Sequence, residues 1–299
     1  MSETKALEYK TREEWLDGRK SLITASDAAA ALGLSPFKSA LKLYAEKIGL
    51  AEDGEEREAM KWGKALQGAI GSRFAEVSGR AVTEAPPFTI FLHPDHPRVG
   101  CTLDFFEQDG EKGRGALETK ATGIPWKDEP PLFYQVQLQL QVAIIGVVYG
   151  TLASFQGLYK PPIWADMEAN PTFVKRALGK LDEFLWRLDN RKPPEVGDVA
   201  PDSTAEALKL LYPKETVEGV ALPPEALGVA AEVKKLKAAK KEMEDQLKAR
   251  ENAIKAWLGD AELGYLTDGS AFQWRVEPRS GYTVGPSEPR VLRHLKGKT

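Results

Sequence analysis

Apolar positions recur at helical spacing through much of this chain. Leu66, Ile70, Phe74 and Val77 fall at i, i+4, i+8 and i+11, which predicts a helix over 59–77 with one buried stripe, closed by Ser78-Gly79. Phe173, Leu178, Leu181, Leu185 and Leu188 predict a second amphipathic helix over 172–189. Shorter helices are expected at 13–20, carrying Trp15, and at 39–48, ending at Gly49. Between them, Thr24 and Ser26 are good N-cap residues for an Ala-rich run to Leu32, with Asp27 favourable in its first turn. The break Gly33-Leu34-Ser35-Pro36 ends that run, and residues 51–58 read as an exposed acidic stretch. Residues 88–92 and 147–155 read as strands, the second of them buried.

Two stretches need more than periodicity. Residues 135–142 alternate strictly, Gln135, Gln137, Gln139 and Gln141 against Val136, Leu138, Leu140 and Val142, which is a strand pattern. The run continues as a wholly apolar segment into Gly146, and Gln and Leu favour helices while Gln is no strand former, so a helix is expected. Residues 100–120 read as a β-hairpin around a Gly-bearing turn. Asp104 would lie on its first strand and Glu118 and Lys120 on its second. Residues two apart on a strand share a face, so Glu118 and Lys120 project together, with Thr119 opposite.

The Pro-rich segment 193–201 predicts a division into a domain over 1–195 and an extension over 196–299. In the extension Val229, Val233, Leu236, Lys240, Met243, Leu247, Arg250, Ile254 and Trp257 keep a 4-3 spacing. Two basic residues interrupt this seam, which suits either an antiparallel helix pairing or a coiled-coil contact with another chain. A stop at Gly259-Asp260, two short strands and a basic tail over 290–298 follow.

Composition narrows the options. A single cysteine, Cys101, excludes a disulfide within the chain and an all-cysteine zinc or iron–sulfur site. No run approaches the roughly 20 apolar residues of a membrane span, and the first residues have no signal-peptide core. A cytoplasmic location is expected. The net charge of −3 neither suggests nor excludes a local basic face for nucleic acid. His93 and His96 flank Pro94 in a loop-like stretch, where turn histidines are expected before a metal pair.

The chemistry concentrates at Asp104, Glu118 and Lys120. Carboxylates on adjacent strands need each other, a cation or water, because an unpaired buried charge is costly. Two carboxylates beside a lysine suit a hard divalent ion such as Mg²⁺. The plainer alternative is a surface turn at Asp104 and a solvent-facing edge strand. Similarly, the helix start at Thr24 to Asp27, near Arg19, is either an anion site or simply a capped helix.

The order helix, strand, strand with Asp, strand with Glu-x-Lys, helix, strand resembles the PD-(D/E)xK nuclease core. That fold class is α/β, a mixed central sheet flanked by helices, here followed by a C-terminal helical hairpin or coiled coil and a small β extension. Trp15, Arg19, Ile23-Thr24-Ala25-Ser26 and Trp62-Gly63-Lys64 narrow the resemblance to the lambda-exonuclease/YqaJ branch, the phage-type alkaline exonucleases. It covers about residues 12–190. The resemblance implies a Mg²⁺-dependent 5′→3′ exonuclease on double-stranded DNA, with Mn²⁺ as a possible substitute. Asp104 and Glu118 would ligate the metal with the Thr119 backbone carbonyl, and Lys120 would orient or deprotonate the attacking water. Gln135 falls on the family's motif glutamine, with Gln137 beside it. Arg19 and Ser26, with Thr24 and Trp15 near them, match a pocket for the 5′-phosphate, and Met60 an apolar wedge. The resemblance further implies a homotrimeric ring and a phage single-strand annealing protein as partner, in a phage or prophage setting.

One position departs from the pattern. Gln67 stands where the family's long helix usually supplies a metal-site Glu. Weak binding of a second metal, another ligand in this lineage, or an inactivating substitution would each account for it. Two further readings stay open: a DNA-end binding protein with weakened catalysis, and a PD-(D/E)xK endonuclease.

Overall fold

The computed structural model describes residues 4–51, 58–122, 126, 128–155, 157, 160–216 and 219–278. The acidic stretch expected at 51–58 and the basic tail at 290–298 therefore fall almost wholly outside the described residues. In chain order the elements are β1 (Ala6–Glu8), α1 (Arg12–Lys20), β2 (Ile23–Thr24), α2 (Ala25–Ala31), α3 (Ala40–Lys47), α4 (Glu58–Ser78), β3 (Ala81–Glu84), β4 (Thr89–Leu92), β5 (Val99–Cys101) and β6 (Phe105–Asp109). There follow β7 (Gly113–Ala121), α5 (Leu132–Ile145), β8 (Tyr149–Phe155), β9 (Ile163–Glu168), α6 (Pro171–Asp189), α7 (Pro201–Leu211), α8 (Ala226–Leu258), β10 (Leu263–Tyr265) and β11 (Ala271–Gln273).

The chain forms two compact units, Met1–Pro213 and Lys214–Thr299. The first includes α7, whose Ser203 hydroxyl accepts from the Ser39 N–H at the start of α3. It is built on a five-stranded sheet in the order β3-β6-β7-β8-β9, antiparallel except for the parallel pair β7–β8. A parallel pair needs a crossover, and α5 supplies it. A four-stranded sheet, β1-β4-β5-β2, lies beside it in the same unit. The second unit holds the long α8 and the antiparallel hairpin β10–β11, with Leu258 buried. Among the described residues no helix is long and apolar enough to cross a membrane.

The alternation of β7 sorts its side chains between two layers. Leu117 joins Phe105, Ala153, Ile70 and Phe74 under α4, while Ala116 joins Leu138, Val142 and Leu152 under α5. Fully burying side chains of this size is worth about 1.5–3 kcal/mol each. The Gln-rich segment is helical, as its propensities predict, and ends at Gly146 with φ 72°, a left-handed cap that glycine accommodates without strain. Close approach of α5 to the sheet depends on Gly150: a Cβ there would lie 2.7 Å from Leu138 and 2.8 Å from Val142.

Two expectations change. Val77 is 40% exposed, so the buried stripe of α4 stops at Phe74. The stretch leading to Asp104 is not one strand. Val99–Cys101 pairs in the four-stranded sheet and Phe105–Asp109 in the five-stranded one. Thr102, Leu103 and Asp104 make the crossing between the sheets, so Asp104 sits in a bend just ahead of β6. The break leaves Asp104 free of strand pairing and directs its carboxylate across the hairpin.

Candidate active site

Asp104 and Glu118 are held by different faces of one strand. The Asp104 carboxylate accepts from the Thr119 N–H at 2.8 Å and from the Thr119 hydroxyl at 2.7 Å, both on Oδ2. Glu118, 5% exposed, projects toward α5. Its Oε1 accepts from Lys120 Nζ at 2.6 Å and Gln137 Nε2 at 2.6 Å, and its Oε2 from Gln141 Nε2 at 2.7 Å. Lys120 also donates to Gln137 Oε1 at 3.0 Å and lies over the Tyr134 ring. The solvent-facing edge-strand alternative does not apply to this buried cluster.

The helix explains which glutamines reach the site. Positions four apart share a helix face, whereas positions two apart are separated by about 200°. Gln137 and Gln141 form one such pair, facing Glu118. Gln139 turns elsewhere, donating to the Glu168 carbonyl and accepting from the Asn170 N–H. Gln135 instead donates to the Pro130 carbonyl at 2.7 Å, away from Glu118 and Lys120 in its hydrogen bonding among the described residues. Sequence reading missed Gln141; its signal was the four-residue spacing from Gln137. Gln141 Oε1 is buried and has no hydrogen-bond partner among the described residues.

Electrostatics mark this cluster as short of positive charge. Burial pushes Asp104 up to about 7, with the neighbouring Glu118 charge adding to it, against the Thr119 hydrogen bonds and Lys120. Burial alone would depress Lys120, but Glu118 and Asp104 outweigh it and hold its ammonium above the ordinary value. Lys120 is therefore a fixed cation. Two carboxylates against one lysine leave excess negative charge, and a hard divalent ion would relieve it. Among the described residues no group of three or more His, Cys, Asp or Glu could hold a metal. Mg²⁺ suits that limit, because it keeps several waters and uses one or two carboxylates. The donors present fit it.

Asp104 opens into a cleft of about 460 Å³ lined also by Gln67, Lys64, Arg12, Trp15 and Phe88. Gln67 thus lies in the wall beside Asp104. Trp15 links the cleft to a second cluster: the Arg19 guanidinium stacks on its ring at 4.7 Å and donates to Ser26 Oγ at 2.9 Å and Thr24 Oγ1 at 3.2 Å. Among the described residues, Trp15 Nε1 is buried without a hydrogen-bond partner. Asp27 accepts from the Thr24 N–H and hydroxyl, fixing the start of α2. Because α2 has only seven residues, positive charge here comes chiefly from Arg19. Met60 stands apart from both clusters, 55% exposed on the first turn of α4 next to Trp62. His93 and His96 meet edge to face in the β4–β5 loop, and His96 pairs with Asp182.

Residues 14–148, spanning both clusters, match the profile of the YqaJ-like viral recombinase domain. Over that stretch the chain is similar to this family. A YqaJ-family relative, the uncharacterized protein YqaJ of Bacillus subtilis (strain 168), is 28% identical over 268 residues, 86% of this chain and 81% of that protein. The fold is similar to the crystal structure of an alkaline exonuclease, LHK-Exo, from Laribacter hongkongensis, with TM-score 0.50 and 22% identity. That match covers 66% of this chain and 99% of the exonuclease. LHK-Exo in complex with dAMP matches to the same TM-score with 21% identity.

Proposed function

We propose that this chain is a metal-dependent nuclease that hydrolyses phosphodiester bonds of double-stranded DNA from 5′-phosphorylated ends, 5′→3′, exposing 3′ strands for annealing. One observation carries the reading: Asp104, whose partner Thr119 lies between Glu118 and Lys120 on β7, opens into the same cleft as Trp15, on which Arg19 stacks. A reacting centre for phosphodiesters and a seat for an anion thus adjoin.

Asp104 and Glu118, with the Thr119 carbonyl, would hold Mg²⁺ or Mn²⁺. When bound, the ion would acidify water and offset charge on the leaving oxygen. Lys120, kept protonated by Glu118, orients the attacking water and balances charge on the phosphorane oxygens rather than removing a proton. Gln137 holds Lys120 and Glu118 in register, and Gln141 holds the other oxygen of Glu118. Arg19 and Ser26 hold the terminal phosphate and thereby align the next scissile bond. Met60, exposed on the first turn of α4, would act as the apolar wedge that parts the strands. A homotrimeric ring around the duplex and an annealing protein taking the exposed strand complete the reading, and both rest on family resemblance.

The test is digestion of linear 5′-phosphorylated duplex in Mg²⁺ by wild type and Lys120→Ala. Release of nucleotides by wild type, with at least a thousandfold loss in the variant, is expected. Cutting of closed circles would replace the end-dependent reading with an endonuclease. A second reading, a DNA-end binding protein with weakened catalysis, is favoured by Gln67 in the cleft wall. Tight end binding without cleavage in either Mg²⁺ or Mn²⁺ would select it.

A further inference from the structure

Behind Arg19 lies a buried lysine that the reaction as described does not use. Lys47, on α3, has a side chain only 10% exposed. Its ammonium donates to the Arg19 carbonyl at 2.9 Å and the Leu22 carbonyl at 2.7 Å, and pairs with Asp27 Oδ2 at 3.0 Å. Three points of the pocket are tied by one group: the end of α1 that carries Arg19, the segment entering β2, and the first turn of α2.

We propose that Lys47 is a positioning and charge-setting residue that makes the Arg19/Ser26 pocket selective for a terminal phosphate dianion. This rests on the phosphate-pocket reading above. Asp27 is needed to fix Thr24, yet its carboxylate lies beside the cation that receives the phosphate. Uncompensated, it would repel a dianion. Lys47 cancels that charge from the protein side, where it cannot contact the ligand, and leaves the three-residue set with one net positive charge on the face that Arg19 presents. Removing a partner from a buried, hydrogen-bonded charge pair strands the other charge.

Two features favour charge setting over packing. Lys47 spends two of its three donors on carbonyls that a neutral residue would leave unsatisfied, so the ammonium is locked in one place. Its third donor goes to Asp27 Oδ2, the oxygen that also receives both Thr24 donors.

The experiment compares end affinity for 5′-phosphorylated and 5′-hydroxyl duplexes of the same sequence, by fluorescence anisotropy in EDTA, so that the result does not depend on cleavage. Wild type should prefer the phosphorylated end. Lys47→Met should reduce that preference at least about tenfold, and adding Asp27→Asn to it should restore most of the loss by removing the stranded carboxylate. Asp27→Asn alone, whose amide oxygen can still accept from Thr24 while the charge is gone, should keep or raise the preference. If Lys47→Met retains the wild-type ratio, or if the double variant is no better than the single one, the inference is overturned while the pocket stands. Absence of any preference in wild type would overturn the pocket reading and this inference with it. Should Lys47→Met not fold, Asp27→Asn decides: a lowered preference overturns the proposal.

Discussion

At the scale of single residues, the site depends on how completely one carboxylate is surrounded. Glu118 receives three side-chain donors, two of them from glutamines one helical turn apart on α5. Gln141 is 1% exposed and also donates to the Thr102 carbonyl. Gln141→Leu should cost about 1–3 kcal/mol by leaving two buried acceptors without that donor. It should also lower turnover about tenfold by loosening Glu118; urea denaturation beside steady-state digestion separates the effects. Gln67 offers a second test, because it shares the cleft wall with Asp104. Gln67→Glu should lower the Mg²⁺ concentration for half-maximal cleavage by about tenfold. A titration showing no change would separate position 67 from the metal.

At the scale of elements, the approach of α5 to the sheet sets the distance between Glu118 and its glutamines. Gly150→Ala would place a methyl 2.7 Å from Leu138 and 3.1 Å from the Ala116 carbonyl, and the backbone contact cannot yield cheaply. A stability loss of about 1–3 kcal/mol is expected, with cleavage falling further than unfolding explains at a temperature where the variant stays folded. Much at this scale was legible in the sequence. The helices over 59–77, 134–145 and 172–189 follow from spacing and propensity, and Glu118 and Lys120 share a face because strands alternate. What was not legible is tertiary. Asp104 lies in a bend because Val99–Cys101 and Phe105–Asp109 pair with different sheets, and local alternation carries no sign of a change of partner. The strands Ala6–Glu8 and Ile163–Glu168 are edge strands whose polar, half-exposed sequences give little periodic signal. Gln135 and Gln137 look equivalent in an alternating run, and only the helical angle, with Glu118 fixed across from it, distinguishes them.

At the scale of the molecule, both clusters lie in the unit Met1–Pro213. A partly buried ionic network around Arg80 ties β6 and β9 of this unit's sheet to the end of α4. Arg80 reaches Asp166 at 2.6 and 2.8 Å, Glu107 at 3.1 Å and Asp109 at 2.9 Å, and Lys112 reaches Asp166 at 2.6 Å. Thr151 donates to Glu107 in a short bond. Burial works to raise Asp166, but Arg80, Lys112 and Thr151 outweigh it and hold its carboxyl well below 3.8. A depressed carboxylate contributes stability that is present above its unfolded value and lost as pH falls through the folded one. The urea midpoint of wild type should therefore exceed that of Asp166→Asn at pH 6. The gap should narrow as pH drops below 3.8, and a constant gap would show that the ion pair is not its source.

The order of the strands has a consequence for how the molecule loosens. β7, which carries Glu118, Thr119 and Lys120, is the middle strand of five, whereas β2, which ends at Thr24, is a two-residue edge of the smaller sheet. Amides in a central strand exchange with solvent only through large openings, and those at a short edge exchange through local fraying. The amides of Glu118, Thr119 and Lys120 should therefore be among the last to exchange, so the strand that carries the candidate site keeps its shape until the sheet itself opens.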